Sequence, residues 1–251
     1  MDEGKPAYHD VVFDNGLQCF VISEFEATWQ YREIFECGCY SNIRLPDAPV
    51  VIDVGANIGL FTIFMKQLRP AASILAFEPI SPVFQVLTEN VKRSLFHNVA
   101  LYQYALGSHD EEDVEFTYYP MLPGNSTRFP NEKELQIEVM AREQATAEVR
   151  ALHHGIPMFA DCRTLSNFIG DHQMIDLLKI DVEGSELEVL NGIRPDHWTK
   201  IDQVVIEVQD MDNRLEKIRT VLEKQKFVVD IQPAPMINPD IRTFLLYGGK
   251  A

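Results

Sequence analysis

Val50-Val51-Ile52-Asp53-Val54-Gly55-Ala56-Asn57-Ile58-Gly59 is the stretch whose reading decides the fold. Val50 to Val54 is a nearly continuous apolar run, as expected of a strand buried on both faces. It breaks at Gly55, and Ile58 to Leu68 then carries apolar residues at helical spacing until Pro70 stops it. The unit is therefore strand, glycine turn, helix. In an open α/β sheet such a turn lies beyond the carboxyl end of its strand, where ligands bind.

Working outward, the unit repeats. Ile74 to Phe77 reads as a second strand ending at Glu78-Pro79, and Pro82 stands in a first helical turn before Val83, Val86, Leu87 and Val91. Val99 to Ala105 predicts a third strand, and Val114 to Tyr118 a fourth at an edge. After an interruption the rhythm resumes with a helix over Leu165 to Ile169, a strand over Ile175 to Val182 and a helix after Gly184. A strand over Ile201 to Val208 and a helix over Leu215 to Leu222 follow. Phe227 to Ile231 and Thr243 to Tyr247 have no clear helix between them, which predicts an antiparallel final hairpin. The fold class is α/β, a doubly wound, mostly parallel, seven-stranded, Rossmann-like sheet.

Two regions fall outside the rhythm. Residues 1–49 predict an N-terminal extension packing on the core: a hairpin turning at Asp14-Asn15-Gly16 and a helix between Glu26 and Tyr40. Residues 119–160, with Pro120, Pro123-Gly124 and a charged helical stretch from Glu132 to His153, predict an insertion over the active site of the 50–251 core. The proline, glycine and serine content from Pro120 to Pro130 makes this the segment expected to be mobile. His153 and His154 read as surface residues.

Composition narrows the function. Lysine and arginine number 22 against 38 acids, a formal charge of -16, so a nucleic-acid backbone would be repelled. No apolar stretch approaches the roughly 18 to 20 residues that span a bilayer, and no signal sequence opens the chain. The expectation is a cytoplasmic protein with neither nucleic-acid nor membrane partners. Cys19, Cys37, Cys39 and Cys162 lack the spacing of zinc or redox motifs and predict reduced, mostly buried thiols.

The glycine turn also selects among cofactors. Asn57 stands where a dinucleotide fingerprint wants its second glycine. Asp53 at the mouth would repel a pyrophosphate and would complement a ligand carrying ammonium and sulfonium groups, as S-adenosylmethionine does. Glu78, about twenty residues on, is placed to accept hydrogen bonds from both ribose hydroxyls. Strand periodicity predicts Asp181 and Glu183 on one face, and Glu207 and Gln209 in the same relation on the next strand. These are the candidate catalytic groups around a methyl-transfer path, with Glu207, Glu183 and Asp181 as bases in that order. No metal is assigned.

Val51 to Phe61, Ala76-Phe77-Glu78-Pro79, Ala105-Leu106-Gly107-Ser108, Leu178 to Leu190 with Asn191-Gly192, and Val205 to Glu207 together resemble the FkbM-type methyltransferases over roughly residues 50–229. The resemblance implies a class I methyltransferase fold and S-adenosylmethionine. It assigns Asp53, Gly55, Ala56, Asn57, Gly59, Glu78 and Pro79 to the cofactor loop, and Ala105, Leu106, Gly107 and Ser108 to the adenine side. Tyr31 becomes an N-terminal cofactor contact, and Asp181, Glu183 and Glu207 the active-site edge. Tyr31 to Glu36 and Val208 to Glu216 resemble the branch embedded in modular polyketide and peptide synthases. That branch implies O-methylation of a small-molecule or carrier-bound alcohol, with neighbouring synthase domains as partners. Relatives commonly carry histidine where Gln209 stands, and glutamine cannot act as a base at neutral pH. Either Gln209 positions the acceptor or this copy is weakened. Two rival readings remain: a nicotinamide oxidoreductase and a non-catalytic adenosylmethionine-binding module.

Overall fold

The computed structural model describes residues 8–41, 43–170 and 174–250. Strands β1 (His9–Val12) and β2 (Gln18–Val21) form the N-terminal hairpin, turning through Gly16 at φ +83°. Helix α1 (Glu24–Tyr31) follows, N-capped by the Ser23 hydroxyl, and runs into a π turn over Arg32–Glu36. The sequence predicts one regular helix here. The Cys37 N–H instead donates to the Arg32 carbonyl, five residues back, and widens the last turn.

The core alternates as expected: β3 (Val50–Val54), α2 (Leu60–Leu68), β4 (Ser73–Phe77), α3 (Ser81–Arg93) and β5 (Val99–Tyr102). Next come the short β6 (Ala105–Leu106) and β7 (Glu111–Tyr118). Within the segment read as the insertion lie α4 (Lys133–Met140) and α5 (Thr146–Leu152), and β8 spans Ile156–Arg163. The chain continues with β9 (Leu177–Ile180), α6 (Glu186–Asn191), β10 (Gln203–Gln209), α7 (Arg214–Lys224), β11 (Phe227–Pro233) and β12 (Thr243–Lys250).

Seven strands form the central sheet in the order β11-β12-β10-β9-β3-β4-β5. β12 is antiparallel to both neighbours, so the final hairpin has the expected direction. The order reverses at β3, between β4 and β9, which is where a ligand crevice opens. One expectation fails: the strand at Val114 to Tyr118 is not an edge of the parallel sheet. It pairs antiparallel with β8 in a separate three-stranded sheet, β6-β8-β7. In β8 only Cys162 is fully buried, and the apolar run Ile156 to Ala160 is exposed or half-buried and interrupted by Pro157, so the strand does not read as one packed in a core.

Phe13, Cys19 and Val21 of the hairpin pack with Ile63 of α2 and Val83 and Val86 of α3. The hairpin thereby anchors α1 above the carboxyl edge of the sheet. His153, read as a surface residue, is buried, with its Nδ1 2.9 Å from the Val149 carbonyl. All four cysteines are free, and only Cys37 is exposed. No helix among the described residues is long and apolar enough to cross a membrane.

Candidate active site

The site grows from one row of residues across the sheet. β3 and β9 are parallel with Asp53 beside Lys179, and β10 continues the row with Val205. Asp53 is fully buried and must be paired. It accepts from Thr62 Oγ1 at 2.8 Å, and Lys179 Nζ lies 3.2 Å from Oδ1. Asp53 therefore does not line the cavity, contrary to the expectation that its charge faces a cationic ligand. The strand ends one residue too late for that, and Lys179 neutralises it. The pair acts on the site through the lysine, whose Nζ donates to the Gly55 carbonyl at 2.7 Å and lies 3.6 Å from Asp181.

Two residues further along, Gly55, Asp181 and Glu207 stand at the open end of the sheet. Gly55 has φ +78°, and a Cβ there would sit 1.8 Å from the Asp181 carbonyl oxygen. The turn can close against the end of β9 only because this residue is glycine. Asn57 is also left-handed, at φ 47°. Gly59 caps α2 at φ +94° with Leu87 pressed against it, a packing role away from the cavity.

A cavity of about 390 Å³ opens over this row, within the range of small-molecule sites. Gly55, Ala56, Asn57, Glu78, Pro79, Ala105 and Leu106 line it at one side; Asp181, Glu183, Glu207 and Gln209 line it at the other. Glu78 follows the end of β4. Its Oε1 accepts from the Ile80 N–H at 2.8 Å and its Oε2 from the Asn57 N–H at 3.1 Å. Burial pushes its carboxyl up to about 7, against those two hydrogen bonds. Asn57 Oδ1 is buried and has no hydrogen-bond partner among the described residues.

Besides Asp53 and Gly59, three more expected cofactor contacts lie elsewhere. Tyr31 is buried away from the cavity, stacked between Phe13 at 4.5 Å and Phe35 at 4.9 Å. Gly107 donates to the Arg163 carbonyl and packs against Cys162 and Gly192, so it joins the small sheet to α6. Ser108 is exposed, with its hydroxyl 3.1 Å from His109 Nδ1.

The carboxylates differ in their partners. Strand periodicity does not relate Asp181 to Glu183, because β9 ends at Ile180 and Glu183 is left-handed at φ 53°. Glu183 is ion-paired with the buried Lys133 of α4, and its carbonyl accepts from Thr127 Oγ1 at 2.6 Å. Asp181 faces Lys179. Among the described residues no cation pairs with Glu207, and burial followed by the charges of Asp181, Glu33 and Glu183 raises its carboxyl well above the usual range. Gln209 donates through Nε2 to the Ile241 carbonyl at 3.4 Å, which ties it to the loop before β12. No group of three or more His, Cys, Asp or Glu side chains among the described residues is arranged to hold a metal ion.

Sequence reasoning missed the wall built by α1. Glu26, Gln30 and Glu33 line the cavity at spacings of four and three, and this polar stripe on an otherwise apolar-facing helix was the available signal. Glu26 Oε1 accepts from the Gly124 N–H at 2.6 Å and is raised to about 8 by burial. That bond latches α1 to the insertion. Lys133 to Glu183, Thr127 Oγ1 to the Glu183 carbonyl (2.6 Å) and Arg214 to Glu132 (2.6 Å) pin residues 119–160 to the acidic edge of the cavity. Breaking the latch by Glu26→Ala should loosen residues 119–130, measured as faster hydrogen exchange there than in the parent protein. Unchanged exchange would show that the other pins suffice.

Residues 53–245 match the Methyltransferase FkbM domain family. The chain is 37% identical over 224 residues to Methyltransferase sdnD of Sordaria araneosa, covering 84% of this chain and 86% of that one. It is 34% identical over 236 residues to the 31-O-demethyl-FK506 methyltransferase FkbM of Streptomyces tacrolimicus, covering 88% and 90%. Among solved structures, Methyltransferase FkbM from Methylobacillus flagellatus KT shares the fold at TM-score 0.57 and 16% identity. That match covers 87% of this chain but 47% of the solved one, so the chain spans about half its length. With the glycine turn, the switch-point crevice and the acidic edge in one cavity, the chain belongs to the FkbM family and is a methyltransferase.

Proposed function

We propose that this protein transfers a methyl group from S-adenosylmethionine to a hydroxyl oxygen of a small molecule or a carrier-bound polyketide or peptide intermediate. The observation that carries the reading is Glu78. Each of its oxygens accepts one backbone N–H, which leaves lone pairs at the cavity for two ribose hydroxyls. The unpartnered Asn57 Oδ1 beside it supplies another acceptor. The rest of the lining also suits that cofactor. Phe77, Ile80, Tyr104 and Leu106 offer apolar surface for an adenine ring, and the excess of acids favours a cation.

When bound, S-adenosylmethionine supplies a methyl carbon made electrophilic by its positively charged sulfur. The chain's own contribution is to hold donor and acceptor in line, exclude water beneath α1 and the insertion, and take the hydroxyl proton. Glu207 is the proposed base, because Glu183 and Asp181 already face ammonium groups. Gln209, tied to the loop before β12, positions the acceptor. The name of the Streptomyces tacrolimicus relative, which specifies an O-demethyl substrate, supports oxygen as the acceptor atom.

Glu78→Ala should weaken adenosylmethionine binding about 10- to 100-fold, since a hydrogen bond to a charged group contributes on the order of 1.5 to 3 kcal/mol. Titration calorimetry on the folded variant checks this, and unchanged affinity would remove Glu78 from the ribose site. Transfer of a deuterated methyl group to an alcohol, with the label read on oxygen by NMR, tests the acceptor. Label on nitrogen or carbon would overturn O-methylation.

A further inference from the structure

Glu33 lines the cavity beside Glu207, and neither the strand-end motifs nor the family resemblance gives it a role. It lies in the π turn after α1, facing the carboxyl edge of the sheet. Its Oε1 is buried and has no hydrogen-bond partner among the described residues, although its carboxyl comes within hydrogen-bonding reach of Glu207. Two carboxylates in contact have no donor to offer each other, so a bond between them requires a proton.

The surroundings make the same demand. Glu33 is faced by Glu207 from β10, by Asp181 and Glu183 from the turn after β9, and by Lys179 from β9. The charge of Glu33 is also felt by the nearby Cys39, Tyr40 and Tyr247, none of which supplies a cation. Four carboxyls thus share the space with two ammonium groups, Lys179 and Lys133. Lys179 is divided between Asp53 and Asp181, and Lys133 is held by Glu183. The Glu33 and Glu207 pair is left without a cation of its own. Such a pair cannot ionise twice in a buried site unless a positive charge arrives.

We propose that Glu33 and Glu207 share a single proton, which leaves when a cationic donor enters the cavity and is replaced by the acceptor's hydroxyl proton when the methyl group moves. In the transfer the acceptor oxygen bonds to the methyl carbon, the carbon–sulfur electron pair stays on sulfur, and the hydroxyl proton passes to the carboxyl pair. One positive charge disappears from sulfur and one proton appears beside it. The net charge of the buried site is unchanged through the step. Glu33 is in this account a positioning residue for the proton that Glu207 receives. The inference rests on the adenosylmethionine reading above.

The direction of the pH dependence follows. Burial, then the charge of Asp181, raises the Glu33 carboxyl to about 8, so below that pH the shared proton competes with the cation. Affinity for adenosylmethionine should rise with pH up to about 8 and level off above it. Affinity for S-adenosylhomocysteine, whose sulfur is neutral, should be nearly flat.

Calorimetry at pH 7 in two buffers of different ionisation enthalpy counts the protons released per ligand bound. About one proton should leave with adenosylmethionine and far fewer with adenosylhomocysteine. Glu33→Gln should bind adenosylmethionine but abolish the difference, and Glu33→Asp should restore part of it. Equal proton release for the two ligands, or release unaffected in Glu33→Gln, would overturn the proposal while leaving the cofactor assignment standing. Infrared spectra of the ligand-free protein with 13C-labelled glutamate give a second readout that needs neither variant nor cofactor. They should show a protonated glutamate carbonyl band at neutral pH that Glu207→Gln alters. Absence of any such band refutes the shared proton even if adenosylmethionine fails to bind.

Discussion

Glu207→Gln is expected to lower kcat by roughly 100-fold or more, with a much smaller change in affinity for adenosylmethionine. The substitution keeps the size of the side chain and its place on β10, level with Asp181, while removing its ability to take a proton. The other acids do not substitute. Glu183 is bound to Lys133, Asp181 lies against Lys179, and Glu33 reaches the reacting groups through Glu207. Single-turnover rates on a hydroxyl acceptor, with affinity measured separately, check the split. Full turnover in Glu207→Gln would show that the proton goes elsewhere.

Gly55→Ala is expected to cost on the order of 3 kcal/mol or more of stability and to reduce cofactor affinity at least about 100-fold. The added Cβ would lie 1.8 Å from a backbone oxygen of Asp181, so either the glycine turn or the end of β9 must move. Both carry the site. Gly16→Ala provides the control, because Gly16 has a similar φ of +83° with nothing within 4 Å of its Cβ position. It should cost only the conformational penalty of about 1 kcal/mol. Denaturation curves giving the two variants the same loss would contradict the close approach of the turn to β9.

The parts of the fold legible in the sequence are those where burial on both faces forces continuous apolar runs. Val50 to Val54 and the repeat at Ile74 to Phe77 announce themselves in this way, and the glycine turn follows from the break between strand and helix. The small sheet was not legible. Its β8 strand pairs with a partner separated by two helices, and its residues, exposed or half-buried apart from Cys162 and including Pro157, carry no alternation. The candidate site divides along a similar line. Residues fixed by the strand ends, such as Glu78 and Glu207, reach the cavity. Asp53 does not, because a buried lysine two strand positions from the catalytic edge draws it inward. The contribution of α1 and the π turn after it was hidden because their polar stripe of Glu26, Gln30 and Glu33 reads locally as a solvated face. Only the hairpin packed on α2 and α3 turns that stripe toward the cavity.

The proposed function requires this cavity to take S-adenosylmethionine, with its adenosine at Glu78 and its charged sulfur toward Glu207. Parallel calorimetric titrations of the folded protein with S-adenosylmethionine and with nicotinamide adenine dinucleotide test it most directly. Saturable one-to-one binding of S-adenosylmethionine is expected, weakened in Glu78→Ala, with no heat from the dinucleotide, whose pyrophosphate meets an acidic site with no second glycine at Asn57. Binding of the dinucleotide, or no binding of S-adenosylmethionine, would contradict it.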